Sequence, residues 1–114
     1  MNKKSTRYFS NKQEKQIAKN IGGKKTANSG ATKFSKGDVI TDQFCIECKT
    51  AMKERQSMSI KKDWINGIKE EAFAMGKPHW ALAFNFGGLD NPDNFYIIDE
   101  ALFKTLQDYL EEEE

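Results

Sequence analysis

The chain has 114 residues, 38% of them hydrophobic and 11% aromatic, which supplies one modest core and excludes two independently folding halves. A formal net charge of +1 argues at first sight against a nucleic-acid or membrane partner, but the total hides a steep gradient. Residues 1–36 hold ten bases against one acid, residues 37–89 seven of each, and residues 90–114 one base against nine acids, for net charges of +9, 0 and −8. A basic end of that strength points to a polyanionic partner.

No apolar run approaches the roughly 18 to 20 residues that span a bilayer, and the basic start is not followed by a signal-type apolar stretch. A cytoplasmic location is expected. Two cysteines, Cys45 and Cys48, are too few for a secreted disulfide framework, and both are expected to be reduced.

In chain order, residues 1–8 read as a basic mobile tail. From Phe9 to Ile21, the residues Glu14, Ile17, Ala18 and Ile21 fall at i, i+3, i+4 and i+7, which predicts a helix with Ser10 as its cap and Gly22-Gly23 as its stop. Residues 24–36 are rich in Gly, Ser, Thr and Asn, with Phe34 the only large apolar residue. They predict a short strand and a loop where a ligand meets backbone. Residues 37–41 (GDVIT) and 44–51 (FCIECKTA) form apolar, β-branched runs around Asp42-Gln43, predicting a hairpin with a two-residue turn.

A second helix is predicted from a Ser59 cap through Ile60, Trp64, Ile68, Ala72 and Met75, closed by Gly76 and Pro78. Residues 79–86 (HWALAFNF) read as a buried strand, followed by a Gly-Gly and Asn-Pro loop and a short strand over Phe95–Ile98. Asp99 caps a last helix carrying Leu102, Phe103, Leu106, Tyr109 and Leu110. The expected plan is an α/β (α+β) single domain over residues 9–110, a mixed sheet flanked by helices in the order α-β-β-β-α-β-β-α, with residues 111–114 an acidic tail.

The hairpin register carries the chemistry. With a two-residue turn, 41 faces 44, 40 faces 45, 39 faces 46 and Asp38 faces Glu47, their Cβ atoms about 4.5–5.5 Å apart. Lys49, two residues beyond Glu47, projects from the same face. Two carboxylates this close repel unless a cation lies between them, and such oxygens suit Mg²⁺, which takes one or two carboxylates plus waters and phosphate oxygens. A metal there would stabilise charge on a phosphoryl group and acidify a water that the lysine orients, which is the chemistry of phosphodiester hydrolysis. The same residues also make a cross-strand salt-bridge cluster on an exposed sheet face, a purely structural arrangement. Glu14 favours the cation reading. It lies on the apolar face of its helix, where a carboxylate is costly without a cation.

In order and spacing, Glu14, Asn28-Ser29-Gly30, Gly37-Asp38 and Ile46-Glu47-Cys48-Lys49 resemble the PD-(D/E)XK nuclease superfamily, most closely the small Holliday junction resolvases of archaea and phages. The resemblance covers about Ser10 to Phe86 and implies a restriction-endonuclease-like fold. It implies a metal site of Glu14, Asp38, Glu47 and the Cys48 carbonyl, with Lys49 orienting the nucleophile and Ser29 near the scissile phosphate. Ser35 is the alternative to Ser29, because the alignment of residues 30–36 is open, and Gly37 stands where the motif has Pro.

The resemblance further implies a Mg²⁺ cofactor, for which Mn²⁺ can substitute, and a homodimer that cuts four-way DNA junctions in recombination and repair, in a bacterial, archaeal or phage-infected cell. The basic residues Lys3, Lys4, Arg7, Lys24, Lys25, Lys33 and Lys36 would contact phosphates. Other readings stay open. One is a nuclease of the same fold acting on linear or single-stranded DNA. Another is a non-catalytic DNA-binding protein whose acidic cluster is structural.

Cys45 and Cys48 form a C-x-x-C, but i and i+3 on a strand point to opposite faces and the chain has a single His, which argues against zinc or a redox pair. His79 reads as a strand-edge residue. Asp90-Asn91-Pro92-Asp93 reads as a turn rather than a calcium loop, and Trp64 and Trp80 read as core or dimer interface.

Overall fold

The computed structural model describes residues 6–26, 37–88 and 92–112. Its elements are α1 (Thr6–Ile21), β1 (Lys24–Lys25), β2 (Val39–Ile40), β3 (Phe44–Lys49), α2 (Lys62–Ala74), β4 (His79–Phe84), β5 (Phe95–Ile97) and α3 (Glu100–Glu112). This is the expected order. The five strands form one sheet in the order β1-β2-β3-β4-β5. Only β3 and β4 are parallel, and they are the pair joined through a helix, as a parallel connection requires; the other neighbours are antiparallel.

A helix covers each face. Ile17 of α1 packs with Val39, Ile46, Cys48, Ala81 and Ala83, while Ile68 and Ala72 of α2 lie over Cys45 on the opposite face. Ile17 and Ile68 are almost fully buried, and each contributes about 2 kcal/mol by leaving water. Buried on both sides, β4 reads as a continuous apolar run, HWALAF. By contrast, α3 buries only Leu102.

The hairpin has the predicted register, with Val39 opposite Ile46 and Ile40 opposite Cys45. Asp42-Gln43 is weak turn chemistry, and Thr41 compensates: its Oγ1 accepts the N–H of Phe44 at 3.0 Å and of Gln43 at 3.3 Å. As predicted, α1 ends at Gly22 (φ 71°). Asp99 caps α3, its Oδ1 accepting the Leu102 N–H at 2.8 Å. At the end of α2 the Lys77 N–H reaches Ala72 O and the Gly76 N–H reaches Phe73 O, a Schellman closure with Gly76 at φ 69°.

Two of the three expected helix starts are corrected. α1 begins at Thr6, so Ser10 lies inside it and residues 6–8 are helical rather than tail; no Gly or Pro stops the helix there, and Phe9 is half-buried. α2 begins at Lys62 after Lys61, not after Ser59. Ile60 is exposed, so the apolar stripe starts at Trp64. The fourth strand stops at Phe84 rather than Phe86; past it the Asn85 N–H still reaches Lys49 O at 3.3 Å, while its side chain bonds Thr50, Asn94 and the Gly87 N–H. The fifth stops at Ile97, leaving Ile98 to pack on the α1-side core.

Gly37, where the motif has Pro, has a steric cause. A Cβ there would lie 2.5 Å from Cys45 Sγ and 3.2 Å from Ile68 Cδ1. Gly37→Ala is expected to cost about 1–3 kcal/mol of stability by overpacking, and adding Cys45→Ala is expected to return part of that loss in a double-mutant cycle read by urea denaturation. Additive losses would show that the thiol is not what excludes the methyl.

Candidate functional site

The site forms where β2 gives way to the chain before it. Val39 is the last paired residue of β2, and the Asp38 N–H turns to Ile46 O at 2.8 Å. The freed Asp38 carboxylate accepts the Cys48 N–H through Oδ2 at 2.8 Å. Asp38 therefore straddles Glu47 and Cys48 rather than lying flat opposite Glu47, which is a local departure from the expected ladder. Its main chain is held from the other side by Thr26, whose N–H meets Asp38 O at 3.0 Å and whose hydroxyl donates to Gly37 O at 2.6 Å.

Around this edge lies an open cleft of about 410 Å³ lined by Arg7, Ser10, Asn11, Glu14, Lys25, Thr26, Asp38, Glu47, Cys48 and Lys49. Glu14 reaches it from α1, one turn before Ile17 anchors that helix to the core. Glu47 and Lys49 reach it from the opposite face of β3, with Lys49 Nζ 3.3 Å from Glu47 Oε2. Lys25 of β1 meets Glu14 Oε1 at 3.8 Å and Asn11 Oδ1 at 3.1 Å.

Asp38 acts on both of the other acids. Burial, and then Asp38, pushes the Glu14 carboxyl up to about 7 against the pull of Lys25 and Arg7. Burial, and then Asp38, lifts Glu47 likewise to about 7, with Lys49 opposing and Glu71 of α2 adding. Among the described residues no three His, Cys, Asp or Glu side chains close into a metal cage. Mg²⁺ does not need one, since it keeps several waters and takes one or two carboxylates. Carboxyls whose charged form is disfavoured by burial and by a neighbouring acid fit a divalent cation, which would favour the charged form of each.

Lys49 is fixed by a residue that the sequence reading placed in the core or at an interface. Trp64, on the first turn of α2, is only half-buried, and Lys49 Nζ stands 4.4 Å from its ring centroid. The ammonium is thus held between a carboxylate and an indole face. A second missed group is a buried amide network behind the same strand. Gln13 donates to Lys49 O at 2.8 Å and to Asn94 Oδ1 at 3.2 Å, and Asn85 joins Thr50, Asn94 and the Gly87 N–H. Gln13 Oε1 is buried with no hydrogen-bond partner among the described residues. A Gln beside Glu14 on the inward face of α1 was the available signal.

The remaining candidates divide. Arg7 and Lys25 line the cleft. Lys24 lies elsewhere, beside Thr41, Asp42 and Lys77. Ser29, Ser35, Lys3, Lys4, Lys33 and Lys36 lie outside the described residues. Cys45 and Cys48 face opposite sides of the sheet, as strand geometry requires. Burial first, with the surrounding acids, pushes the Cys45 thiol up to about 12 and Cys48 further in the same direction, so neither is a ready thiolate ligand. His79 stacks on Phe44 at 5.3 Å, at the opposite end of β3 from Lys49. Trp80 packs with the α2-side core, as expected. No helix among the described residues is long and apolar enough to cross a membrane. Compared with known proteins, the chain matches no family model, no curated protein and no solved structure.

The two raised carboxyls set a pH dependence. Each ionises near 4.5 in the unfolded chain and near 7 in the fold, so between these values the folded state binds more protons. The stability they confer is full below about pH 4.5 and is lost as the pH rises through about 7. Without divalent ions the melting temperature is expected to fall by several degrees from about pH 5 to about pH 8. Glu14→Gln and Glu47→Gln should each flatten that slope in differential scanning calorimetry. A slope unchanged in both variants would mean that their carboxyls titrate normally.

Proposed function

We propose that the protein is a Mg²⁺-dependent DNA endonuclease of the PD-(D/E)XK fold, and within that class a homodimeric, structure-selective resolvase of four-way junctions. The observation that carries the reading is the convergence of Glu14, Asp38, Glu47 and Lys49 on one cleft, with two of the acids raised by burial and by the third. A surface salt-bridge cluster would not bury Glu14 to 6% exposure. The order α-β-β-β-α-β-β-α around a mixed sheet supports it further.

Asp38 and Glu47 would hold the Mg²⁺ together with the Cys48 carbonyl, and Glu14 directly or through a water. When bound, the ion supplies Lewis acidity that stabilises charge on the phosphoryl group and eases deprotonation of a water. The chain does the positioning. Lys49, held by Glu47 and Trp64, directs an N–H at the attacking water and keeps it in line with phosphorus. Asp38, with Oδ2 anchored on the Cys48 N–H, keeps its other oxygen for the cation. Arg7 and Lys25, on the rim, contact the phosphates flanking the scissile bond and orient the strand without reading its sequence.

A second copy suits the apolar surface left on the carboxy-terminal elements. Phe103, Tyr109 and Leu110 of α3 are 60%, 61% and 66% exposed, and Phe95 and Tyr96 of the edge strand β5 are exposed as well. A monomer seldom leaves such a patch open, and a two-fold pairing through it would present two clefts at once to a junction.

Two measurements test this. A labelled four-way junction, a linear duplex and a single strand, each with Mg²⁺ or EDTA, should show Mg²⁺-dependent cutting of the junction above the others. Asp38→Ala and Lys49→Ala should each lose at least about a hundredfold in rate while still binding the junction. Metal-independent or absent cleavage sinks the enzyme, and equal cutting of all three substrates sinks the resolvase. In sedimentation velocity the parent should run as a dimer and Leu106→Glu/Leu110→Glu as a folded monomer. A dimer that survives both changes would move the interface off α3.

A further inference from the structure

Beside the cleft runs an open groove of about 520 Å³ whose lining includes Met52, Lys53, Arg55, Met58, Lys61 and Trp64. Its described lining contains no acid. The stretch from Lys49 to Lys62 holds five bases and one acid, Glu54, a local excess that the neutral total for residues 37–89 conceals. The groove is built rather than loose. The Arg55 N–H donates to Phe86 O at 2.8 Å, and Gly87, at φ 78°, packs so closely that a Cβ would lie 2.5 Å from Ala51 O and 2.8 Å from Lys53 O. Trp64 lines the groove and meets the cleft through Lys49. Lys49 Nζ, from the cleft, approaches its ring at 4.4 Å and Lys61 Nζ, from the groove, at 5.8 Å.

We propose that this groove binds a single-stranded nucleic-acid segment adjoining the phosphate held in the cleft, with Lys53, Arg55 and Lys61 on its backbone and one unpaired base against Trp64. Three cations paired with one aromatic face is the chemistry that holds an unstacked strand. A paired base cannot offer its face to an indole recessed in a groove, so the element recognised is an unpaired strand, such as one splayed at a branch point. The proposal rests on the nuclease reading for what sits in the cleft, but strand binding itself needs neither metal nor cleavage.

The test uses the full chain without divalent ions, a fluorescein-labelled oligothymidylate and a blunt duplex, read by anisotropy and by tryptophan emission. The oligothymidylate should quench the emission, and Trp64→Phe should remove that quenching and weaken binding about tenfold. Lys53→Ala/Arg55→Ala/Lys61→Ala should lower the salt slope for the single strand by about 2. It should change duplex affinity by less than about twofold, because the amino-terminal basic residues carry the duplex. Arg55→Ala alone serves if the triple variant misfolds by circular dichroism, and should weaken the single strand about threefold. Unchanged single-strand affinity, equal loss of both substrates, or emission indifferent to the oligonucleotide overturns the groove. A parent that shows these binding changes yet cuts nothing keeps the groove and loses the nuclease. One that cuts a junction with the groove residues indifferent does the reverse.

Discussion

Asp38 stands where β2 stops pairing, and its carboxylate takes over the hydrogen bond that the ladder would have made, accepting the Cys48 N–H at 2.8 Å. That one bond sets a carboxylate at the end of β2, near two other acids, Glu14 from the α1 side and Glu47 from the α2 side. Neither helix alone could bring carboxylates from both faces of a sheet to one point; a residue that turns out at the end of a strand can. Burial, and after it the charge of Asp38, is what pushes the Glu14 and Glu47 carboxyls up to about 7. The like charges repel, and the divalent cation of the proposed function would relieve that repulsion.

The rest of the fold holds that strand end still. Ile17 fixes α1 to the sheet one turn after Glu14, and Gln13 ties the same helix to the Lys49 carbonyl. On the other face Ile68 and Ala72 seat α2 over Cys45, which carries Trp64 to the Lys49 ammonium. Even Gly37 belongs to this arrangement, because the approach of Cys45 Sγ leaves no room for a Cβ just before Asp38. The site therefore depends on both helices packing at once, whereas α3, with only Leu102 buried, contributes little to it.

What the sequence made legible follows from how local each signal is. Strand alternation and a short polar turn gave the pairing of Val39 with Ile46 and Ile40 with Cys45, and with it the pairing of Glu47 with Lys49. Helical spacing put Glu14 on the inward face. Caps were less legible, because a Ser near a helix start matters only if the apolar stripe begins there. At Ser59 it does not, since Ile60 is exposed, and at Ser10 the helix continues past it. Trp64 was misplaced because periodicity shows which side of a helix faces the sheet, not whether the end of that side overhangs a cleft. Gln13 and Asn85 were missed for a related reason: a buried amide looks like any polar residue until its partners, distant in sequence, are brought to it. The basic run from Lys49 to Lys62 disappeared into a charge sum taken over too long a window.

Divalent-ion binding tests the central claim most directly. Titrating Mn²⁺ into the protein at about pH 7, with calorimetry in two buffers of different ionisation enthalpy, measures binding and proton exchange together. Saturable binding accompanied by proton release is predicted, because Glu14 and Glu47 are partly protonated there and give up protons to the cation. Both signals should vanish in Asp38→Asn. Binding that persists in that variant, or no binding by the parent, would contradict the assignment of these three acids to a common cation site.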